Sequence, residues 1–189
     1  KILNEIEAMW RNVETDPKLE EFIKVLKKNK HLKENKLIVF TESKETAEYL
    51  ESKLNPIFNN KVLAYSSISG EATRERIIEN FDPASKIKKN DVRILVSTEV
   101  LSEGVNLNRS NIVVNYDIPW NPIRMMQRVG RINRVGKNLP FDEIYTYNFF
   151  PAGPINDQMG LTEAAEVKIQ SFIQMLGNDA KLLTDEDIK

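Results

Sequence analysis

The chain has 189 residues, with 27 Lys and Arg against 28 Asp and Glu, a formal net charge of −1 and 41% hydrophobic residues; this suits one globular domain with a terminal appendage and excludes a protein that coats nucleic acid with a broadly basic surface. It holds no cysteine and one histidine, so disulfides, thiolate sites and a zinc centre have nothing to be built from, and no metal site is expected. No apolar run approaches the roughly 20 residues of a membrane span and no signal peptide is visible, so the expectation is a cytoplasmic chain without a membrane partner, and its start at Lys1 suggests a piece excised from a longer protein.

Residues 2–29 are rich in helix formers, with apolar positions at Ile2, Ile6, Met9, Leu19, Phe22, Ile23 and Leu26. Pro17 divides them into two helices, with Asp16 as the cap of the second. His31 follows in the lysine-rich stretch KKNKHLKENK and reads as a solvated loop residue. KLIVF (36–40) is a short β-branched run typical of a strand buried on both faces. Ser43 is placed to cap a helix reaching Leu54. KVLAY (61–65) is a second strand, ATRERIIENF (72–81) a helix, VRILVS (92–97) a third strand and NIVVNYD (111–117) a fourth. Pro83–Asn90 between them reads as a charged, mobile loop. Asn121 with Pro122 at the first helical position opens another helix, EIYTYNFF (143–150) is a fifth strand, and Thr162 caps a last amphipathic helix with Ala165, Ile169, Phe172, Ile173 and Leu176 inward. Strands alternating with helices predict an α/β fold: a parallel sheet with helices on both faces, whose ligands bind beyond the carboxyl ends of the strands. Those ends are Thr41, Ser97 with Thr98, and Asp117 with Ile118.

The densest charge feature is QRVGRINRVG (127–136). Arg124, Arg128, Arg131 and Arg134 fall within eleven residues, and no acid lies between Ile118 and Phe141. An anion from outside the stretch is the natural partner. On a helix over 122–135, Gln127, Arg131 and Arg134 share a face within an arc of roughly 60°. Met125, Val129 and Ile132 form a different, packing face. Arg128 lies off the shared face and reads as a packing or salt-bridge residue. Gly130 leaves a bare patch that permits close backbone approach. Helical arginines without balancing acids fit rigid guanidinium forks turned towards phosphate; a solvated amphipathic helix is the plainer alternative.

ILVSTEVLSEGVNLNRSNIVVNYDIPWNP, followed by QRVGRINRVG, resembles motifs V and VI of the superfamily 2 helicases and translocases. KLIVFTES is similar to motif IV, and the resemblance runs from there to the last strand. YDIPWNP resembles the strand-to-helix junction of the Swi/Snf-type branch, with the bacterial RNA-polymerase-associated ATPases as the nearest flavour. The resemblance implies a second RecA-like domain, three-layer α/β/α, over residues 34–160, preceded by an N-terminal helical segment (1–33) and followed by a C-terminal helix and tail (161–189).

In such proteins ATP sits between two RecA-like domains. The resemblance makes Arg131 and Arg134 arginine fingers and places Gln127 beside the γ-phosphate. It puts Gly104 and Asn106 near the ribose, Thr98 on the nucleic-acid backbone, and Thr41 and Ser43 as weaker phosphate contacts. Each has a plainer reading: a turn glycine at 104, a loop-tying amide at Asn106, a strand-end hydroxyl at Thr98. Arg74 matches a structural arginine. Glu103 has no assigned role, and Gly130 stands where Swi/Snf remodellers usually carry aspartate. The sequence contains no G-x-x-x-x-G-K-[ST] phosphate loop and no acidic Mg2+ motif after a strand. The ATP cradle and Mg2+ ligands are therefore expected on a partner N-terminal RecA-like domain, and the chain alone is expected to be inactive. The implied substrate is DNA, double-stranded by the Swi/Snf resemblance; an RNA helicase half and a non-catalytic RecA-like binding module are the alternatives.

Overall fold

The computed structural model describes residues 15–102, 105–119, 121–132 and 143–150, together with Leu3, Glu5 and Val167. Most of the helix expected before Pro17, Glu103, Gly104, Arg134 and the helix expected after Thr162 lie outside the described residues. The chain divides into two compact units, Lys1–Glu34 and Asn35–Lys189.

In the first unit, helix α1 (Pro17–Lys28) starts where the Asp16 carboxylate accepts from Leu19 N, with Pro17 in the first turn. Glu20 in its first turn and Lys27 and Lys28 in its last complement the helix dipole. Leu19, Phe22 and Leu26 are buried at helical spacing. The structure corrects the reading of His31 as a loop residue: it lies in a short helix, α2 (Lys30–Glu34). Asn29 accepts from the His31 and Leu32 amides at 2.9 and 3.2 Å, which caps the turn, and full burial of Leu32 holds it.

The second unit is built on five parallel strands: β1 (Leu37–Phe40), β2 (Val62–Tyr65), β3 (Ile94–Ser97), β4 (Ile112–Asn115) and β5 (Tyr145–Asn148). Their order is β2-β3-β1-β4-β5, with Leu37 opposite Ile94, Ile38 opposite Val113 and Ile112 opposite Tyr145. β1, β3 and β4 are buried at every position, as the continuous apolar runs predict for a sheet covered on both sides. The connecting helices are α3 (Lys44–Leu54), α4 (Glu71–Phe81) and α5 (Pro122–Ile132), and a short 3-10 turn occupies Glu99–Ser102.

On one face, Ile38, Phe40, Leu63, Leu95 and Val113 pack with Ile77 and Phe81 of α4 and Ile132 of α5 in a single core. α3 lies against β2 and β3 with Ala47, Leu50 and Leu54 buried, outside that core. β2 ends the sheet on one side, and two of its outward amides are taken by side chains of the preceding helix and its cap. Val62 N donates to Asn55 Oδ1 and Ala64 N to Glu51 Oε1, both at 3.0 Å.

Candidate functional site

The strand order sets the carboxyl ends of β3, β1 and β4 side by side, although they lie at residues 97, 40 and 115 of the chain. One side chain joins them. Arg128, in the middle of α5, is almost fully buried. Its Nε donates to Glu99 Oε1 at 2.8 Å, its Nη2 to Glu42 Oε1 at 2.7 Å, and its Nη1 to Asn115 Oδ1 and the Asp117 carbonyl, each at 2.9 Å. The guanidinium also lies over the Phe40 ring, 5.2 Å from its centroid. A planar fork with five donors is the one side chain that can meet acceptors from three strand ends at once.

The other carboxylates and hydroxyls of this edge are organised around the same point. Glu42 Oε2 accepts from Arg124 Nη1 at 3.3 Å, so Glu42 is shared by two arginines of α5. Asp117 accepts from the Thr41 hydroxyl and from Glu42 N. The expectation that the arginine cluster draws its anion from outside the stretch is met in part by the chain itself: Glu42 and Glu99 neutralise Arg128, and Glu42 also holds Arg124.

A cleft of about 450 Å³ opens at this edge, lined by Glu42, Ser43, Lys44, Glu45, Ser67, Thr98, Glu99, Val100 and Arg124. It brings together two residues expected to touch nucleic acid, Ser43 and Thr98, from the ends of different strands. The Ser43 hydroxyl accepts from Thr46 N at 3.1 Å and caps α3, so the cleft also meets the positive end of that helix dipole. Thr41 does not line the cleft; it is fully buried and holds Asp117. Three glutamates line the cleft against Lys44 and Arg124, so it is not a simple basic groove.

On α5, Asn121 accepts from Ile123 N at 3.0 Å and starts the helix. Met125, Val129 and Ile132 are buried, as the periodicity predicts. Gln127 is exposed and Arg131, one turn on, is half-buried, so the two share a side of the helix distinct from the packing face. A Cβ at Gly130 would meet nothing within 4 Å. Asn106 Oδ1 accepts from Asn108 N at 3.3 Å, which ties its loop and fixes which end of the amide is engaged. Arg74 pairs with Glu71 one turn earlier at 3.1 Å, at the start of α4. Gly104 and Arg134 fall outside the described residues.

Sequence reasoning did not single out Glu42, Glu99 or Lys44, and it named Arg124 only as a member of the arginine cluster. The signal for the first two was present: each follows within two residues of a strand's carboxyl end, where an α/β sheet places its working groups. At the opposite end of the sheet, Lys36 donates to the Val92 carbonyl and lies over the Phe81 ring, 4.8 Å from its centroid. Burial, and then the neighbouring Arg109 charge, bring its ammonium from 10.5 down to about 8. Among the described residues no group of three or more His, Asp or Glu side chains could hold a metal ion. No helix among them is long and apolar enough to cross a membrane.

A five-stranded parallel sheet with an arginine-bearing helix at its carboxyl edge defines a RecA-like α/β domain. The chain belongs to the helicase conserved C-terminal domain family, whose model matches residues 17–136. It is 28% identical over 151 residues to an uncharacterized ATP-dependent helicase of Bacillus subtilis, covering 80% of this chain and 25% of that protein. To a probable ATP-dependent RNA helicase of Methanocaldococcus jannaschii it is 33% identical, over 69% of this chain and 33% of the relative. The RNA polymerase-associated protein RapA of Proteus mirabilis is 30% identical, over 71% of this chain and 13% of the relative. The fold is shared with the crystal structure of the C-terminal part of the Fun30 ATPase domain, with a TM-score of 0.62 at 22% identity, covering 79% of this chain and 47% of that one. The chain thus spans at most a third of the length of these curated relatives.

Proposed function

We propose that this chain is the second motor domain of an ATP-dependent translocase on double-stranded DNA, completed by an N-terminal RecA-like domain of the same protein. The observation that carries this reading is the division of labour on α5. Arg128, in the middle of the helix, is buried and bonded to the strand ends, while Arg131, in its last turn, shares with Gln127 the side away from the core. ATP, when bound between the two domains, supplies a γ-phosphoryl group on which charge develops as it transfers. Arg131, with Arg134, offers it planar guanidinium forks, which is how trans-acting arginines speed phosphoryl transfer. Gln127 holds a finger or the phosphate in line. Gly104 allows close backbone approach to the ribose, and Asn106, its Oδ1 turned to Asn108 N, offers its amide donors. The companion domain carries the phosphate loop and the Mg2+ ligands.

Ser43, Thr98, Lys44 and Arg124, with the amino end of α3, meet the sugar–phosphate backbone in the cleft. Thr41 acts through Asp117 and the Glu42 amide rather than on the phosphate itself. The resemblance of YDIPWNP to the Swi/Snf-type junction favours a DNA duplex. An RNA helicase half is the second reading, favoured by the 33% identity to the probable RNA helicase of M. jannaschii. Turnover of the full-length protein on duplex DNA, single-stranded DNA and RNA tests both: strongest stimulation by duplex DNA supports the proposal, and stimulation by RNA alone replaces it with the second. Stimulation by none of the three leaves a non-catalytic binding module.

A further inference from the structure

Glu42 occupies an unusual place. One of its oxygens receives Arg128 Nη2 at 2.7 Å, beneath the helix that bears Gln127 and Arg131; the other receives Arg124 Nη1 at 3.3 Å, at the wall of the cleft. The two bonds differ in kind. The Arg128 side chain is fully buried, and that of Arg124 is 48% exposed, so the second is readily exchanged for another anion. A carboxylate held against a cleft arginine does what a backbone phosphate would do there.

We propose that Glu42 is the positioning residue that couples the cleft to the finger-bearing helix, by passing its carboxylate from Arg124 to Arg128 when a phosphate enters. In the empty cleft Glu42 is divided between the two arginines. A phosphate in the cleft draws Arg124 away, and the whole carboxylate then falls to Arg128, which is also held by Glu99, Asn115 and Asp117. The fold's grip on the centre of α5 tightens, between Gln127 and Arg131. Reciprocity requires that a better-held α5 also favours the occupied cleft. This inference rests on the proposed function and adds to it the route by which nucleic acid stimulates turnover.

Two substitutions in the full-length protein move the readouts in opposite directions. Glu42→Gln keeps an amide oxygen for Arg128 but loses the charge that exchanges. It should bind a 30-base-pair DNA duplex about threefold more tightly, the scale of a released exposed ion pair. Its stimulation by that duplex, the ratio of turnover with DNA to turnover without, should fall about tenfold, the scale of a typical coupling between sites. Arg124→Met leaves Glu42 permanently to Arg128. It should weaken DNA binding yet raise the DNA-free rate about threefold, again on the scale of one exposed pair. Damage to the fold alone predicts neither the tighter binding of the first variant nor the faster basal turnover of the second, and melting curves accompany both. If DNA stimulates the parent and Glu42→Gln keeps the parent's ratio within twofold, or Arg124→Met shows no basal gain, the relay is overturned while the motor reading stands. A parent that neither DNA nor RNA stimulates overturns the proposed function and the relay with it.

Discussion

Replacing Arg128 by methionine should cost the fold more than replacing any other arginine of α5. Methionine keeps an apolar stem but removes every donor and the cation over the Phe40 ring. Asn115 Oδ1 and the Asp117 carbonyl lose a 2.9 Å partner, and Asn115 is fully buried, so the cost there is that of an unsatisfied buried acceptor, about 1–3 kcal/mol. Glu99 loses its counter-charge and Glu42 one of its two, but their side chains are 33% and 40% exposed, so water replaces much of what they lose. The sum is about 3 kcal/mol, the lower end of what breaking a buried charged pair costs. With a urea dependence of about 2 kcal/mol per molar, the unfolding midpoint should fall by roughly 1.5 M. Arg128→Lys should recover less than half of this, because one ammonium cannot reach acceptors spread over three strand ends. Urea titrations of the 189-residue chain, followed by far-UV circular dichroism, give the comparison directly. A midpoint shift below about 0.5 M for Arg128→Met, on the same slope, would refute the view of this side chain as the knot of the carboxyl edge.

Arg131→Ala and Arg134→Ala in the full-length protein should each lose at least about a hundredfold in kcat with little change in the KM for ATP, since fingers meet charge that develops in the transition state. Normal turnover of Arg131→Ala and Arg134→Ala at saturating ATP and DNA would make the arginine cluster a solvated helix face. The 189-residue chain by itself should hydrolyse no ATP above background with or without DNA, a result checked by phosphate release from a sample freed of contaminating ATPase. Lys36 releases its proton in the fold near pH 8 but only above pH 10 when unfolded, so between these values the unfolded state holds more protons and stability rises with pH. The parent's urea midpoint should therefore gain on that of Lys36→Met from pH 8 to 10, and parallel profiles would contradict it. Ser43→Ala should cost about 1 kcal/mol through the lost cap. Ser43→Asp should keep the cap and yet weaken DNA binding by setting a negative charge in the cleft, which equilibrium titration with a labelled duplex reads.

The five strands were legible because each is a short β-branched or aromatic run, and a sheet covered on both faces asks for nothing subtler. β5 is the partial exception: its half-buried YTYN has no continuous apolar run. His31 was misread because five charged or amide neighbours hide one apolar anchor, Leu32, and a cap at Asn29. On α5 the helical period alone separated Arg128 from Gln127 and Arg131. The anions that Arg128 meets could not be found by searching its neighbourhood, since Glu42 lies 86 residues away and Glu99 lies 29 away. Crossover connections carry them to the same edge, and a local window cannot see a strand order of β2-β3-β1-β4-β5. The cleft was half legible: strand-end hydroxyls pointed to it, and the glutamates that line it did not announce themselves.

The side chains of Glu51 and Asn55 on the outer amides of β2 bear on how such a domain keeps company. Main-chain pairing at a bare strand edge is adhesive and indifferent to side-chain identity. The proposed motor domain, which would release its neighbour once per cycle, is ill served by it. With the Val62 and Ala64 amides already engaged, this flank has two fewer donors to offer another chain. At this flank contact is left to side chains and loop amides, whose bonds exchange with water and ions and so, on the proposed motor reading, can be made and broken repeatedly.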